Sequence, residues 1–308
     1  MNVASLAGFT NLGYLVNARR FEPLDVDLSG RTIVITGATA GLGLAAATQL
    51  ASLGARLVIV GRNPDKTRSV QNDIEAATGA EVAHEIADLS SVAEVTDLAD
   101  RLLATQPRID VLVNNAGAMF GERSATDEGI ERTLATNLLS HFVLTNKLLP
   151  RLVESAPARI INVSSGGMYS ERINVDDLQF ERGEYAATAA YARTKRGQVI
   201  LTEMWADQLR GSGVVVNSMH PGWAKTPGVA DSLPAFNRVM GPLLRTPEQG
   251  ADTIVWLAAA PEAAHISGNF LLDRVPRDTH MMSRTRETAQ ERRLLWDRLE
   301  QLAQVPVP

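Results

Sequence analysis

The sequence predicts a doubly wound α/β fold, a parallel sheet with helices on both faces, and three observations carry that prediction. A β-branched run at residues 31–36 ends at Gly37 and passes at once into a helical pattern over residues 41–53. Further short runs rich in Val, Ile and Leu at 56–60, 81–86, 110–113, 159–163 and 214–219 are separated by helix-length segments, the rhythm of strand–helix–strand units. The hydrophobic fraction is 45% but the aromatic fraction only 5%, so the core is built from Ala, Val, Leu and Ile, as a sheet buried on both faces requires.

With 308 residues and no repeat, linker or low-complexity stretch, the chain reads as one domain over 1–308, with a lead-in at 1–28 and a charged helical extension at 285–304. The net charge of −5 is spread over both signs, and no basic stripe points to nucleic acid. Zero Cys excludes disulfides and thiolate metal sites and fits a reducing, cytoplasmic setting. The five His are scattered without ligand spacing, so no metal is expected. No apolar run is long enough to span a bilayer, and Asn11, Gly13 and Asn17 interrupt the apolar start, although residues 1–21 could lie along a surface.

The first strand-to-helix junction reads Thr36-Gly37-Ala38-Thr39-Ala40-Gly41-Leu42-Gly43. Glycines there let backbone N–H groups approach a pyrophosphate and aim the positive end of the helix dipole at it. They also make ordinary tight turns, and the strand before and helix after favour the nucleotide. The second strand ends at Gly61-Arg62-Asn63, where a dinucleotide fold meets the adenosine ribose. That tip has no acid for a free 2′-hydroxyl. Arg62 instead offers a fork of donors suited to a 2′-phosphate, with Gly61 leaving room, so NADP(H) is favoured over NAD(H); a solvated Arg opening the next helix is the alternative. Asp88, with Leu89, stands where a carboxylate could accept from the adenine amino group or could start a helix.

The fourth strand delivers Asn114-Asn115-Ala116-Gly117 to the crevice at the carboxyl end of the sheet, as cofactor contacts or as ties between strands. Asn137 interrupts the apolar pattern of a long helix at 128–153, and the fifth strand ends in Ser164-Ser165-Gly166-Gly167. Tyr191 and Lys195, four apart at the start of a helix reaching about residue 209, share one helix face. A free phenol has a pKa of about 10, and bringing it to about 7 takes roughly three units of about 1.36 kcal/mol each, which a desolvated neighbouring cation can supply. The sixth strand is followed by Pro221-Gly222-Trp223-Ala224-Lys225-Thr226, then by an apolar segment to about residue 246, a helix at 247–259 and a short strand at 270–272. The segment at 229–244 and the loop at 168–190 suggest a cover over an apolar substrate, or else packing onto the core or a second subunit.

In these motifs, taken in this order, the chain resembles the short-chain dehydrogenase/reductases over nearly its whole length. Ser164-Ser165-Gly166-Gly167-Met168, Asp176-Asp177-Leu178-Gln179 and Ser218-Met219-His220-Pro221-Gly222-Trp223-Ala224 narrow the likeness to one subgroup. The resemblance implies a seven-stranded parallel sheet and hydride transfer between nicotinamide and a small-molecule carbonyl or alcohol. It makes Tyr191 the proton donor or acceptor. Lys195 would lower the tyrosine's pKa and hold the nicotinamide ribose, Ser165 would bond the substrate oxygen, and Asn137 would hold a water that relays protons to Lys195. It further implies that Gly37, Gly41 and Gly43 cradle pyrophosphate, that Thr226 contacts the carboxamide or pyrophosphate, and that helices 128–153 and 188–209 pair in a homodimer or homotetramer. Related NADP-preferring chains often carry a basic residue in the glycine stretch, where this one has Ala38, Thr39 and Ala40. The alternative is a catalytically silent NADP(H)-binding protein acting through partners, against which the complete Asn, Ser, Tyr and Lys set argues.

Overall fold

The computed structural model describes residues 7–225, 238 and 240–304. Its sheet has eight strands in the order β3-β2-β1-β4-β5-β6-β7-β8. They are β1 Thr32–Thr36, β2 Arg56–Gly61, β3 Val82–Ile86, β4 Val111–Asn114, β5 Ala158–Val163, β6 Val214–Met219, β7 Phe270–Leu272 and β8 Val275–Arg277. β1 to β7 run parallel and β8 turns back antiparallel on β7. The expected seven parallel strands are therefore all present, and β8 is an addition. The order reverses between β1 and β4, so their carboxyl ends diverge and open the crevice in which such sheets bind ligands.

Both faces are covered. Ile33 and Ile35 of β1 point into one core with helices α2 Gly41–Ser52, α3 Pro64–Thr78 and α7 Pro247–Ala259. Val34 points into the other, with α4 Val92–Thr105, α5 Ser140–Glu154, α6 Ala187–Gln208 and α8 Ala289–Ala303. This alternation about one strand, apolar on both sides, is the reason the strands read as continuous Val/Ile runs. α8 buries Leu295, Leu299 and Ala303, and its Trp296 ring stands 4.9 Å from Phe142 of α5 and 6.2 Å from Trp205 of α6. It thereby covers part of the surface through which two copies were expected to pair.

The long helix expected at 128–153 is interrupted. It starts at Arg132, passes through a π turn at Ala135–Leu139 that contains Asn137, and continues as α5. The lead-in also folds, into α1 Asn11–Ala18, whose start is capped by Thr10 accepting from the Gly13 N–H. Among the described residues no helix is long and apolar enough to cross a membrane. Much of the apolar segment at 229–244, including Val229, Leu233 and Phe236, lies outside the described residues, as does Thr226.

Candidate active site

The carboxyl ends of β1, β4, β5 and β6 surround a cleft of about 680 Å³. Gly37, Thr39, Ala40, Gly41, Leu42 and Gly43 form one wall, with Arg62, Asp88 and Leu89 at its far end and Asn115, Ala116 and Gly117 opposite. Ser165, Tyr191, Lys195, Pro221 and Gly222 line the other end. Thr36 and Asn137 stand behind the lining. The Thr36 hydroxyl accepts from the N–H groups of Asn115 and Ala116 at 3.0 and 3.1 Å, while the Asn115 amide donates to the carbonyls of Thr36 and Gly37 at 2.8 and 3.2 Å. Asn114 is fully buried and donates to Thr145 and Asn162 at 2.9 Å each. The Asn-Asn pair thus ties strand to strand and holds the glycine turn against the β4 loop.

α2 begins where an anion is welcome. Gly37 and Gly41 have φ of 66° and 54°, conformations that other residues rarely adopt. No side chain caps α2, whereas Asn63, Ser91, Thr246 and Thr288 cap α3, α4, α7 and α8. Its first N–H groups are left to the cleft, which is the donor set a pyrophosphate needs.

At the β2 end of the cleft, Arg62 is 67% exposed and lies 3.7 Å from Asp88. Asp88 also accepts from the backbone and hydroxyl of Ser90, and these bonds with Arg62 hold its carboxyl below the ordinary value against the opposing effect of burial. Gly61 proves to be glycine for a reason the sequence hid. A Cβ there would overlap the Thr67 hydroxyl and press on the Thr39 methyl, so the space is filled by protein and not left open for phosphate.

At the β5 end of the cleft, strand alternation leaves two serines to choose between, and the structure separates them. Ser164 is buried and donates to the Lys195 carbonyl at 2.8 Å, bracing α6. Ser165 faces the cleft beside the Tyr191 phenol. Burial raises the pKa of Tyr191, and the neighbouring Ser165 hydroxyl opposes that rise. The lowering expected from Lys195 is not found: Tyr191 stands above the ordinary phenol value, and desolvation pushes Lys195 itself down to about 7. Lys195 Nζ lies 5.6 Å from the Tyr191 ring centre and donates to the Val163 carbonyl at 2.9 Å. That single bond leaves donors to spare. A Cβ at Gly117 would stand 3.1 Å from Nζ, so the missing side chain keeps the space beside the ammonium clear.

Asn137 is locked in place. Its side chain accepts from Ala118 N–H at 2.7 Å and donates to the Ala118 carbonyl and Thr194 hydroxyl, at 2.8 and 3.2 Å. Its own carbonyl accepts from the Gln198 amide at 2.6 Å. The same Gln198 nitrogen lies 2.9 Å from Nδ1 of His141, whose Nε2 lies 2.9 Å from the Ala116 carbonyl. The bonding fixes the proton on Nε2, and burial together with the Lys195 charge pushes His141 down to about 3, so it stays neutral beside the lysine. Sequence reading missed this pair because each is an ordinary residue one turn from a motif. It also missed Met119, Phe120, Arg132 and Trp223, which line the cleft; Trp223 next to Pro221-Gly222 was the one available signal.

A family model described as short chain dehydrogenase matches residues 31–235. The chain belongs to the short-chain dehydrogenase/reductase family. It is accordingly an oxidoreductase acting on CH–OH or C=O groups. Dehydrogenase/reductase SDR family member 12 of Bos taurus is 39% identical over 97% of this chain and 95% of its own length, in line with the subgroup motifs. Retinol dehydrogenase 13 of Homo sapiens is 34% identical over 80% of this chain and 78% of its own length. Among solved short-chain dehydrogenase/reductase structures, the Pseudomonas aeruginosa RhlG/NADP active-site complex superposes with a TM-score of 0.67 at 28% identity, covering 81% of this chain and 97% of that one.

Proposed function

We propose that the chain transfers a hydride between NADP(H) and an apolar carbonyl or alcohol, with Tyr191 as the general acid and base. The observation that carries this is the meeting of a serine hydroxyl, a tyrosine phenol and a lysine ammonium at one end of a cleft whose other end is an uncapped helix start. The nicotinamide supplies or takes the hydride when bound. Ser165 holds the substrate oxygen, and Tyr191, kept protonated by its raised pKa, donates a proton to that oxygen during reduction and recovers it in the reverse direction. Lys195 has spare donors for the ribose hydroxyls, and the α2 N–H groups with Gly37, Gly41 and Gly43 hold the pyrophosphate. Asn137 positions Lys195 through Ala118 and Thr194, one residue before the lysine. Thr226 follows the Pro221–Gly222 turn in sequence and is assigned to the carboxamide or pyrophosphate on family likeness alone.

Arg62 at an acid-free β2 tip supports NADP(H), and the NADP complex of a similar chain agrees with it. Met119, Phe120 and Trp223 give the substrate end an apolar wall, which favours substrates without charge near the carbonyl. Self-association, expected as a homodimer or homotetramer, must use surface that α8 leaves open. The test is turnover of a mixed ketone and aldehyde panel with NADPH and NADH, in the native chain and in Tyr191→Phe. Turnover by the Phe variant close to native would sink the assignment.

A further inference from the structure

We infer that the lead-in is a working part of the cleft, with Phe9, Arg245 and Asp273 as positioning residues for the Pro221–Trp223 loop. The inference rests on the proposed nucleotide site. All three residues lie outside the span matched by the family model, residues 31–235.

Arg245 and Asp273 are each 1% exposed and form a bidentate ion pair at 2.6 and 2.9 Å. The remaining guanidinium donors go to three backbone carbonyls: Gly8 at 2.7 Å and Thr10 at 3.2 Å in the lead-in, and Pro221 at 3.4 Å in the cleft. All five N–H bonds of the fork are thus committed. Between those two lead-in carbonyls, the Phe9 carbonyl accepts from Trp223 N–H at 2.8 Å. The Phe9 ring is buried, edge-on to His220 at 4.5 Å and to Trp223 at 5.8 Å. Gly222 has φ of 76°, and a Cβ there would overlap the Arg245 side chain, so the turn lies directly on the guanidinium. The loop that lines the cleft therefore has the lead-in and one arginine as its floor.

The other side of the clamp is a hairpin turn that accepts a conformational penalty. Leu272 pairs with Val275, leaving Asp273 and Arg274 as a two-residue loop with φ of 54° and 60°. Such turns favour Asn or Asp followed by Gly, so Asp273 is at home and Arg274 stands where glycine is usual. Both hold the lead-in. Asp273 takes Arg245 and the Asn17 amide, while Arg274 pairs with Asp252, donates to the Glu22 carbonyl at 2.9 Å and lies 4.3 Å from the Phe21 ring centre. An arginine kept at the glycine position of the turn, where it grips the lead-in, is what a positioning device requires, and a passive surface cover does not need it.

The test separates the two ends of the nucleotide. 2′,5′-ADP fills only the adenosine end, far from the loop, whereas NADPH reaches it. In Phe9→Ala and in Arg245→Lys, which keeps a cation beside Asp273 but loses the fork, affinity for 2′,5′-ADP should stay within about twofold. Affinity for NADPH and kcat should each fall about tenfold, with Phe9→Leu recovering most of the loss. Hydrogen exchange at the Trp223 amide should quicken in the Lys variant while β1 and β4 amides stay protected. Unchanged NADPH affinity with unchanged Trp223 exchange overturns the inference, as does equal loss of both ligands, which would mean general loosening of the fold. A native chain that binds neither nucleotide while Trp223 stays protected would instead bring down the proposed nucleotide site.

Discussion

Raising the pH should weaken cofactor binding, and Lys195 sets the size of the effect. Its ammonium is buried against the Val163 carbonyl with a pKa of about 7, well below the ordinary 10.5. Only the ammonium can offer every donor to ribose hydroxyls, so binding above neutrality must bring a proton with it. If the bound lysine regains its ordinary pKa, half the chains are ready at about pH 7 and about one in a hundred at about pH 9, so Kd should rise about 50-fold, or about 2.3 kcal/mol. Energy transfer from tryptophan to NADPH reads Kd directly, since Trp223 lines the cleft. Calorimetry in two buffers of different ionisation enthalpy reads the proton, which should approach one per site at about pH 8.5. Lys195→Met should bind weakly and without pH dependence. A native Kd that is flat between about pH 7 and about pH 9, or the same slope in the Met variant, would refute the reasoning. The lysine's effect on folding stability runs with the opposite sign. Its burial penalty is fully present below about pH 7 and fades as the pH climbs from there toward the ordinary lysine value.

Tyr191→Phe should lower kcat about 10²- to 10⁴-fold while leaving the NADPH Kd nearly intact, measured by steady-state kinetics beside equilibrium titration. Arg62→Ala should cut kcat/KM with NADPH roughly tenfold and leave NADH unchanged, because an exposed arginine contributes only modestly even to a phosphate. Equal loss with both cofactors would move the choice of cofactor elsewhere in the cleft. Gln198→Leu should leave the His141 ring neutral by NMR, close to its native value of about 3, because burial and the Lys195 charge that hold it there both remain. Ending the chain before Thr288 should bare Phe142 and Trp205 and make the sedimentation coefficient rise with concentration, which the full chain should show less.

The sequence carried the sheet because buried parallel strands write themselves as Val/Ile runs stopped by Gly or Asn, and it put Tyr191 and Lys195 on one face of the cleft because a helix repeats every turn. β8 was invisible for the opposite reason: Val275-Pro276-Arg277 is short, exposed and contains proline, which only an edge strand tolerates. Helical periodicity could not show that Asn137 sits in a π turn. Nor could strand alternation choose Ser165 over Ser164, since both sit at the strand end where the chain begins to turn. The reason for Gly61 required knowing that Thr67, six residues on, folds back beneath it. The lead-in was furthest from view, since nothing local in Gly8-Phe9-Thr10 announces a partner more than two hundred residues away.

That distance has a consequence for how the protein is made. Arg245 meets Gly8 and Thr10 across 237 and 235 positions, and Asn17 meets Asp273 across 256. During synthesis the lead-in leaves the ribosome first, yet the groups that receive it are among the last to follow. The glycine turn, β1, β2 and β4 can form one half of the cleft before those groups exist, because their contacts close over much shorter stretches of chain. Completion of the Pro221–Trp223 side of the cleft is therefore a late folding event, and a ribosome-bound chain halted before residue 245 would carry the glycine turn without the clamp that seats the opposite loop.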